Sequence, residues 1–88
     1  MATHELKKDP VVFQATIDGL KPYEIRLDDR GYQVGDILRV RETEFTGDQM
    51  AQGKDLIYTG REYTVEVTHI LQGYGLKKDW VIMSFRKL

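Results

Sequence analysis

Gly19-Leu20-Lys21-Pro22-Tyr23-Glu24-Ile25-Arg26-Leu27 decides how the rest of the chain is read. A glycine able to adopt left-handed backbone angles ends one kind of periodicity, and an alternation of period two begins at Tyr23. Upstream, Asp9-Pro10 offers a capping side chain followed by a proline at the first helical position, and apolar groups recur through Val11, Val12, Phe13, Ala15 and Ile17. The pattern predicts a helix over 10–18, closed by Gly19, with Phe13, Ile17 and Leu20 as its core stripe. Downstream, Tyr23, Ile25 and Leu27 alternate with Glu24, Arg26 and Asp28. This reads as a half-buried strand with its apolar side on the core and its charged side outward.

The remaining segments follow the same logic. Glu5 to Lys7 forms a short strand ahead of the helix, and Asp28-Asp29-Arg30-Gly31 and Val34-Gly35-Asp36 are turns. Strands are expected at Ile37–Glu42, around Tyr63, Val65 and Val67, and over Val81–Phe85. Residues 43–60 are polar and glycine-bearing and read as a long exposed hairpin loop, and residues 72–79 form a second connection. One helix followed by about five strands argues against a parallel α/β sheet, which needs a crossover helix for each parallel pair. The fold class is therefore α+β, mainly β: a small, mostly antiparallel barrel with one N-terminal helix, in a single domain over residues 1–88.

Composition narrows the chemistry. The 88 residues contain no cysteine and two isolated histidines, His4 and His69, so disulfide, thiolate-metal and redox roles fall away and no metal or cofactor is called for. No apolar run approaches the ~20 residues that span a bilayer, which points to the cytoplasm and to no membrane partner. Thirteen basic residues against fourteen acidic ones leave a net charge of −1, divided as −1, −2 and +2 over residues 1–30, 31–60 and 61–88. A neutral total provides no global field for polyanions, so any nucleic-acid site must be a local patch.

The spacing Gly19-x-Lys21-x-x-Glu24-x-Arg26, in the order helix end, loop and strand, resembles the signature of ASCH (activating-signal-cointegrator homology) domains, a branch of the PUA-like barrels. Val34-Gly35-Asp36-Ile37-Leu38, Tyr74-Gly75-Leu76, Trp80-Val81-Ile82 and the opening His4-Glu5-Leu6-Lys7 extend the likeness toward a small bacterial and phage subfamily. The loop around 44–59 departs from it. The resemblance implies a PUA-like barrel and a cleft between helix and barrel, lined by Lys21, Glu24 and Arg26, that binds RNA.

Chemistry on the expected strand agrees with that implication. Glu24 and Arg26 on one face stand ~7 Å apart, and Lys21 projects over the same face. Two cations flanking a carboxylate suit a nucleotide: Arg26 for phosphate or base, Lys21 as a point charge, Glu24 as acceptor for an exocyclic amine. The competing reading is a surface ion pair of Glu24 with Arg26 or Lys21. In the 72–79 loop, Tyr74 between two glycines can stack on a base and Lys77 and Lys78 can meet phosphate; otherwise Tyr74 and Leu76 fold back on the core. Trp80 is assigned to the core, His69 to a structural hydrogen bond, and Arg39, Arg41 and Arg61 to a solvated strand face.

A binding module for RNA or a nucleotide, of the short single-stranded kind, is the leading reading. A second is an amidohydrolase acting on an acetylated nucleoside, because some ASCH domains deacetylate acetylated cytidine with a lysine at the position of Lys21. Those enzymes carry a threonine where Glu24 stands and a helical insertion that residues 72–79 are too short to hold. A third reading is a protein-interaction domain using an open barrel edge or the 43–60 loop.

Overall fold

A computed structural model describes all residues, Met1–Leu88. The elements run β1 (Thr3–Lys8), α1 (Pro10–Ile17), β2 (Tyr23–Leu27), β3 (Ile37–Thr43), α2 (Gly47–Ala51), β4 (Tyr58–Gln72) and β5 (Trp80–Lys87). All five strands join one sheet in the order β1-β3-β4-β5-β2. The fold is α+β and mainly β. Three of the four pairings are antiparallel, and β1 with β3 is parallel. The crossover rule still holds for that parallel pair, because α1 and β2 lie in the connection between its strands.

The sheet curls into a half-barrel that does not close by backbone pairing. Its two edges, β1 and β2, are instead bridged by side chains: Arg26 Nη2 donates to Lys7 O, Arg30 Nη1 donates to Glu5 O at 2.8 Å, and Lys8 Nζ reaches Glu24 Oε2 at 2.6 Å. The inward face carries Leu6, Leu38, Val40, Val65, Val67, Val81 and Met83, with Tyr32 and Phe13 completing the buried cluster. Phe13 comes from α1 and lies over the open end of the half-barrel, its ring 5.1 Å from that of Tyr63.

Three expectations are corrected here. The helix contributes Phe13 and Thr16 to the interior, whereas Ile17 and Leu20 are exposed. An eight-residue helix makes only two turns, and Gly19 at φ 77° takes Leu20 out of helical phase. Asp9 precedes that helix without capping it; its carboxylate accepts from Gly47 N at 3.0 Å and so ties the start of α2 to the start of α1. The 43–60 segment contains that second helix, opened by a reciprocal capping box in which Gln49 N donates to Thr46 Oγ1 (3.1 Å) and Thr46 N to Gln49 Oε1 (2.9 Å). The Thr-x-x-Gln spacing was present in the sequence, masked by a loop-like composition.

β2 supplies the largest correction. Its alternation is real, but its faces are reversed: Glu24 is fully buried, while Tyr23, Ile25 and Leu27 are 40%, 41% and 47% exposed. The antiparallel register with β5 sets Glu24 opposite the core residue Met83 and Arg26 opposite Val81, so the charged side shares the interior face.

The N-terminal strand is fastened by one carboxylate. Asp36, itself buried, accepts from His4 Nε2 (2.9 Å), Ala2 N (3.0 Å) and Gln33 N (3.0 Å). Burial works against its charge, but these hydrogen bonds outweigh burial and hold its pKa below the usual aspartate value. Asp36→Asn keeps the shape and places an NH2 against at least one of these donors. We expect a loss of about 2 kcal/mol in chemical denaturation, with amide exchange accelerating first along Thr3–Lys8.

Candidate functional site

The inverted strand brings a charged cluster into the mouth of the half-barrel beneath α1. Lys8 projects inward because His4, Leu6 and Lys8 share one face of β1. Lys21 arrives from the turn after α1, where its carbonyl accepts from the Thr16 hydroxyl at 3.0 Å. Its ammonium donates to Tyr23 O (2.6 Å) and Glu24 Oε1 (3.3 Å) and lies 4.9 Å from the centre of the Tyr23 ring. Arg26 Nε donates to Glu24 Oε2 at 3.1 Å. One carboxylate therefore serves three cations, whose side chains are 10% (Lys8), 12% (Lys21) and 24% (Arg26) exposed.

The electrostatics follow from that ratio. Burial pushes the Glu24 carboxyl up, but Lys8, Lys21 and Arg26 together outweigh it and hold its pKa below 4.5. For Lys8, burial lowers the ammonium's pKa, and Arg26 and Lys21 add to the lowering; a carboxylate shared three ways does not restore it. Burial also pushes the neighbouring Tyr63 phenol up to about 12. The Tyr63 hydroxyl is enclosed and has no hydrogen-bond partner.

Two depressions adjoin the cluster. The first, about 290 Å³, is lined by Lys8, Arg26, Asp29, Arg30, Tyr32 and Trp80 together with Ile25 and Leu27 at the β2 edge. The second, about 330 Å³ and mostly apolar, is lined by Ile25, Gly75, Leu76, Lys77 and Trp80. Ile25 and Trp80 belong to both and form the wall between them. A cationic pocket thus lies against an apolar one, across the only tryptophan in the chain.

A family model described as a domain of unknown function (DUF3850) matches residues 3–85. The chain belongs to the DUF3850 family. No curated protein matches it. In this DUF3850 domain, the match runs from the first residue of β1 to near the end of β5, so it takes in every strand and both pockets.

The six residues singled out from sequence separate into three groups. Arg26 and Lys77 line the adjoining pockets. Lys21 and Arg26 both meet Glu24, but Lys21 and Glu24 stand behind the pocket, with the Glu24 carboxylate closed off from solvent. Tyr74 and Lys78 are exposed and line neither depression; Tyr74, at 90% exposure, sits at φ 54° between Gly73 (φ 82°) and Gly75 (φ 90°). Three consecutive left-handed residues turn the ring outward at the loop tip rather than back on the core.

Trp80 is half-buried and forms the shared pocket wall, not part of the core. His69 is exposed beside the β4 bulge and makes no side-chain hydrogen bond. Arg39 and Arg41 do form a solvated ion-pair face with Glu5 and Glu62, whereas Arg61 turns to the other side, over the Phe13 ring. Glu42, from the acidic middle of the chain, stands beside Lys8 in the β1–β3 register, where Thr59 and Arg61 engage it. Lys8, Arg30 and Trp80 escaped the sequence reading. The alternation of Leu6 with Lys8 could have revealed Lys8; nothing local distinguishes Arg30 from an ordinary turn residue.

Proposed function

We propose that this chain is a non-catalytic RNA- or nucleotide-binding domain of the ASCH, PUA-like kind, binding at the paired pockets along β2. The observation that carries the reading is the inversion of β2. A sheet strand ordinarily buries its apolar side, and burying Glu24 and turning Arg26 inward while leaving Ile25 and Leu27 half-exposed carries a stability cost that a purely structural strand has no reason to bear. What it creates is a cationic pocket beside an apolar wall, the combination that a phosphate joined to a base requires. The hydrolase reading finds less support, since the Glu24 carboxylate is enclosed and fully engaged by cations.

Fluorescence polarisation with short labelled single-stranded RNAs tests this. Binding is expected at low salt, with log K falling against log salt at a slope of about −1.5 to −2, as two or three phosphate contacts dictate. Arg30→Ala and Lys77→Ala should each weaken binding, and Arg41→Ala, whose guanidinium is held by Glu5 on the outer face, should leave it unchanged. Absence of binding across single-stranded and structured RNAs at low salt overturns the proposal.

A further inference from the structure

Resting on the nucleotide reading above, we infer that the pocket between the β1 and β2 edges is built for a terminal phosphate monoester, with the adjoining base in the Trp80 pocket, rather than for the diester backbone of a continuous strand.

The charge count is the first argument. Lys8, Arg26 and Arg30 against Asp29 give the pocket lining a net +2, and adding Lys21 and Glu24 behind it leaves +2. A monoester carries about −1.5 to −2 at neutral pH and offers three terminal oxygens, whereas a diester carries one charge on two oxygens. The donor count is the second. Lys8, Arg26 and Arg30 hold thirteen N–H donors, three and five and five, and four are used in hydrogen bonds to Glu24, Lys7 O and Glu5 O. Nine remain, an excess that a many-acceptor anion would use.

Charge distribution elsewhere is the third argument. A groove that follows a nucleic-acid backbone spreads its cations along a path. Here Arg39, Arg41 and Arg86 are each bound to a glutamate on the sheet's outer face, while Lys8, Arg26 and Arg30 come together on one pocket in a chain of net charge −1. Finally, the 290 Å³ pocket shares Trp80 and Ile25 with the 330 Å³ apolar pocket, so a phosphate in the first leaves an attached ring facing the second.

Trp80 is the sole tryptophan, and its emission reports on the wall between the pockets. Titrations would compare adenosine 5′-monophosphate with adenosine, and tetra-adenylate bearing a 5′ or 3′ phosphate with the same tetramer bearing neither. Phosphorylated probes are expected to bind at least tenfold more tightly than their unphosphorylated counterparts. That preference should shrink as pH falls from 7.5 to 5.5, because the monoester dianion takes up a proton near pH ~6 and becomes a monoanion. Arg30→Ala, at a side chain 41% exposed, should abolish the preference while the far-ultraviolet circular dichroism is unchanged. A response to the mononucleotide identifies a free nucleotide as the source; a response to the phosphorylated tetramer alone identifies a strand end. Equal affinity with and without the phosphate in both comparisons, mononucleotide and tetramer, or a preference that survives Arg30→Ala, overturns this inference while leaving RNA binding in place. No response from any probe, together with no polarisation signal, overturns both.

Discussion

Glu24→Gln is expected to destabilise the domain by about 3–5 kcal/mol, the cost of leaving buried charges without their counterion. The substitution changes one atom and almost no volume, so packing is not the cause. It leaves Lys8, Lys21 and Arg26, which now meet at one carboxylate within 2.6–3.3 Å, in a poorly solvated mouth with no negative charge between them. Against a total stability of about 5–15 kcal/mol for a small domain, the midpoint in urea should fall by about a fifth or more. Lys8→Met should cost much less, because Glu24 keeps two partners and one cation–cation repulsion disappears. A Glu24→Gln loss smaller than that of Lys8→Met would show that the cluster is not organised around the carboxylate.

The same residue, together with Asp36, shapes the acid side of the stability profile. The folded pKa of Glu24 lies below its ordinary value of 4.5, so its contribution is present above pH 4.5 and is lost as pH falls through the folded value. Lys8 behaves in the opposite sense: its folded pKa lies below the ordinary 10.5, so burying the ammonium costs stability at neutral pH, a cost that fades as pH rises from the folded value toward 10.5. Acid titration of the wild type should therefore show a loss below pH 4.5 that is diminished in Glu24→Gln.

How far the sequence discloses this arrangement depends on which physical signal each residue carries. Strand positions were legible because Tyr63, Val65 and Val67, or Leu38 and Val40, alternate against polar neighbours and do face the core. The same rule applied to Tyr23, Ile25 and Leu27 gives the wrong face. Period two fixes that a strand has two faces; which one is buried is inferred from the usual cost of burying charge. That cost is offset here only with the help of Lys8, sixteen residues upstream, which no local window around Glu24 contains. Lys21, Glu24 and Arg26 were legible as a group because they are near in sequence. Trp80 and Arg30 join the site only because β5 pairs with β2 and the turn after β2 crosses to β1.

Removing the Phe13 ring tests the other support of the site. Phe13 is fully buried, packs on Tyr63 at 5.1 Å between ring centres, and lies beneath the Arg61 guanidinium at the same distance. It is the one large apolar side chain that α1 buries, since Val11 and Ile17 are exposed. Phe13→Ala is expected to cost about 3–5 kcal/mol, the range for emptying a packed aromatic site. At about 4–8 °C per kcal/mol for a domain of this size, the melting temperature should drop by more than ~12 °C. Phe13→Leu, which keeps most of the volume, should cost less than half as much. The consequence reaches the charged cluster through Thr16, whose hydroxyl holds Lys21 O at 3.0 Å and whose position depends on α1 staying docked. At temperatures where Phe13→Ala is still folded, amide exchange should therefore accelerate over Pro10–Lys21 before it does in Tyr58–Gln72, and Lys21 should lose its fixed position against Glu24. If Phe13→Ala costs less than about 1.5 kcal/mol, with uniform exchange, α1 is held by its chain connections and not by this ring, and the mouth of the half-barrel is ordered by the Glu24 cluster alone.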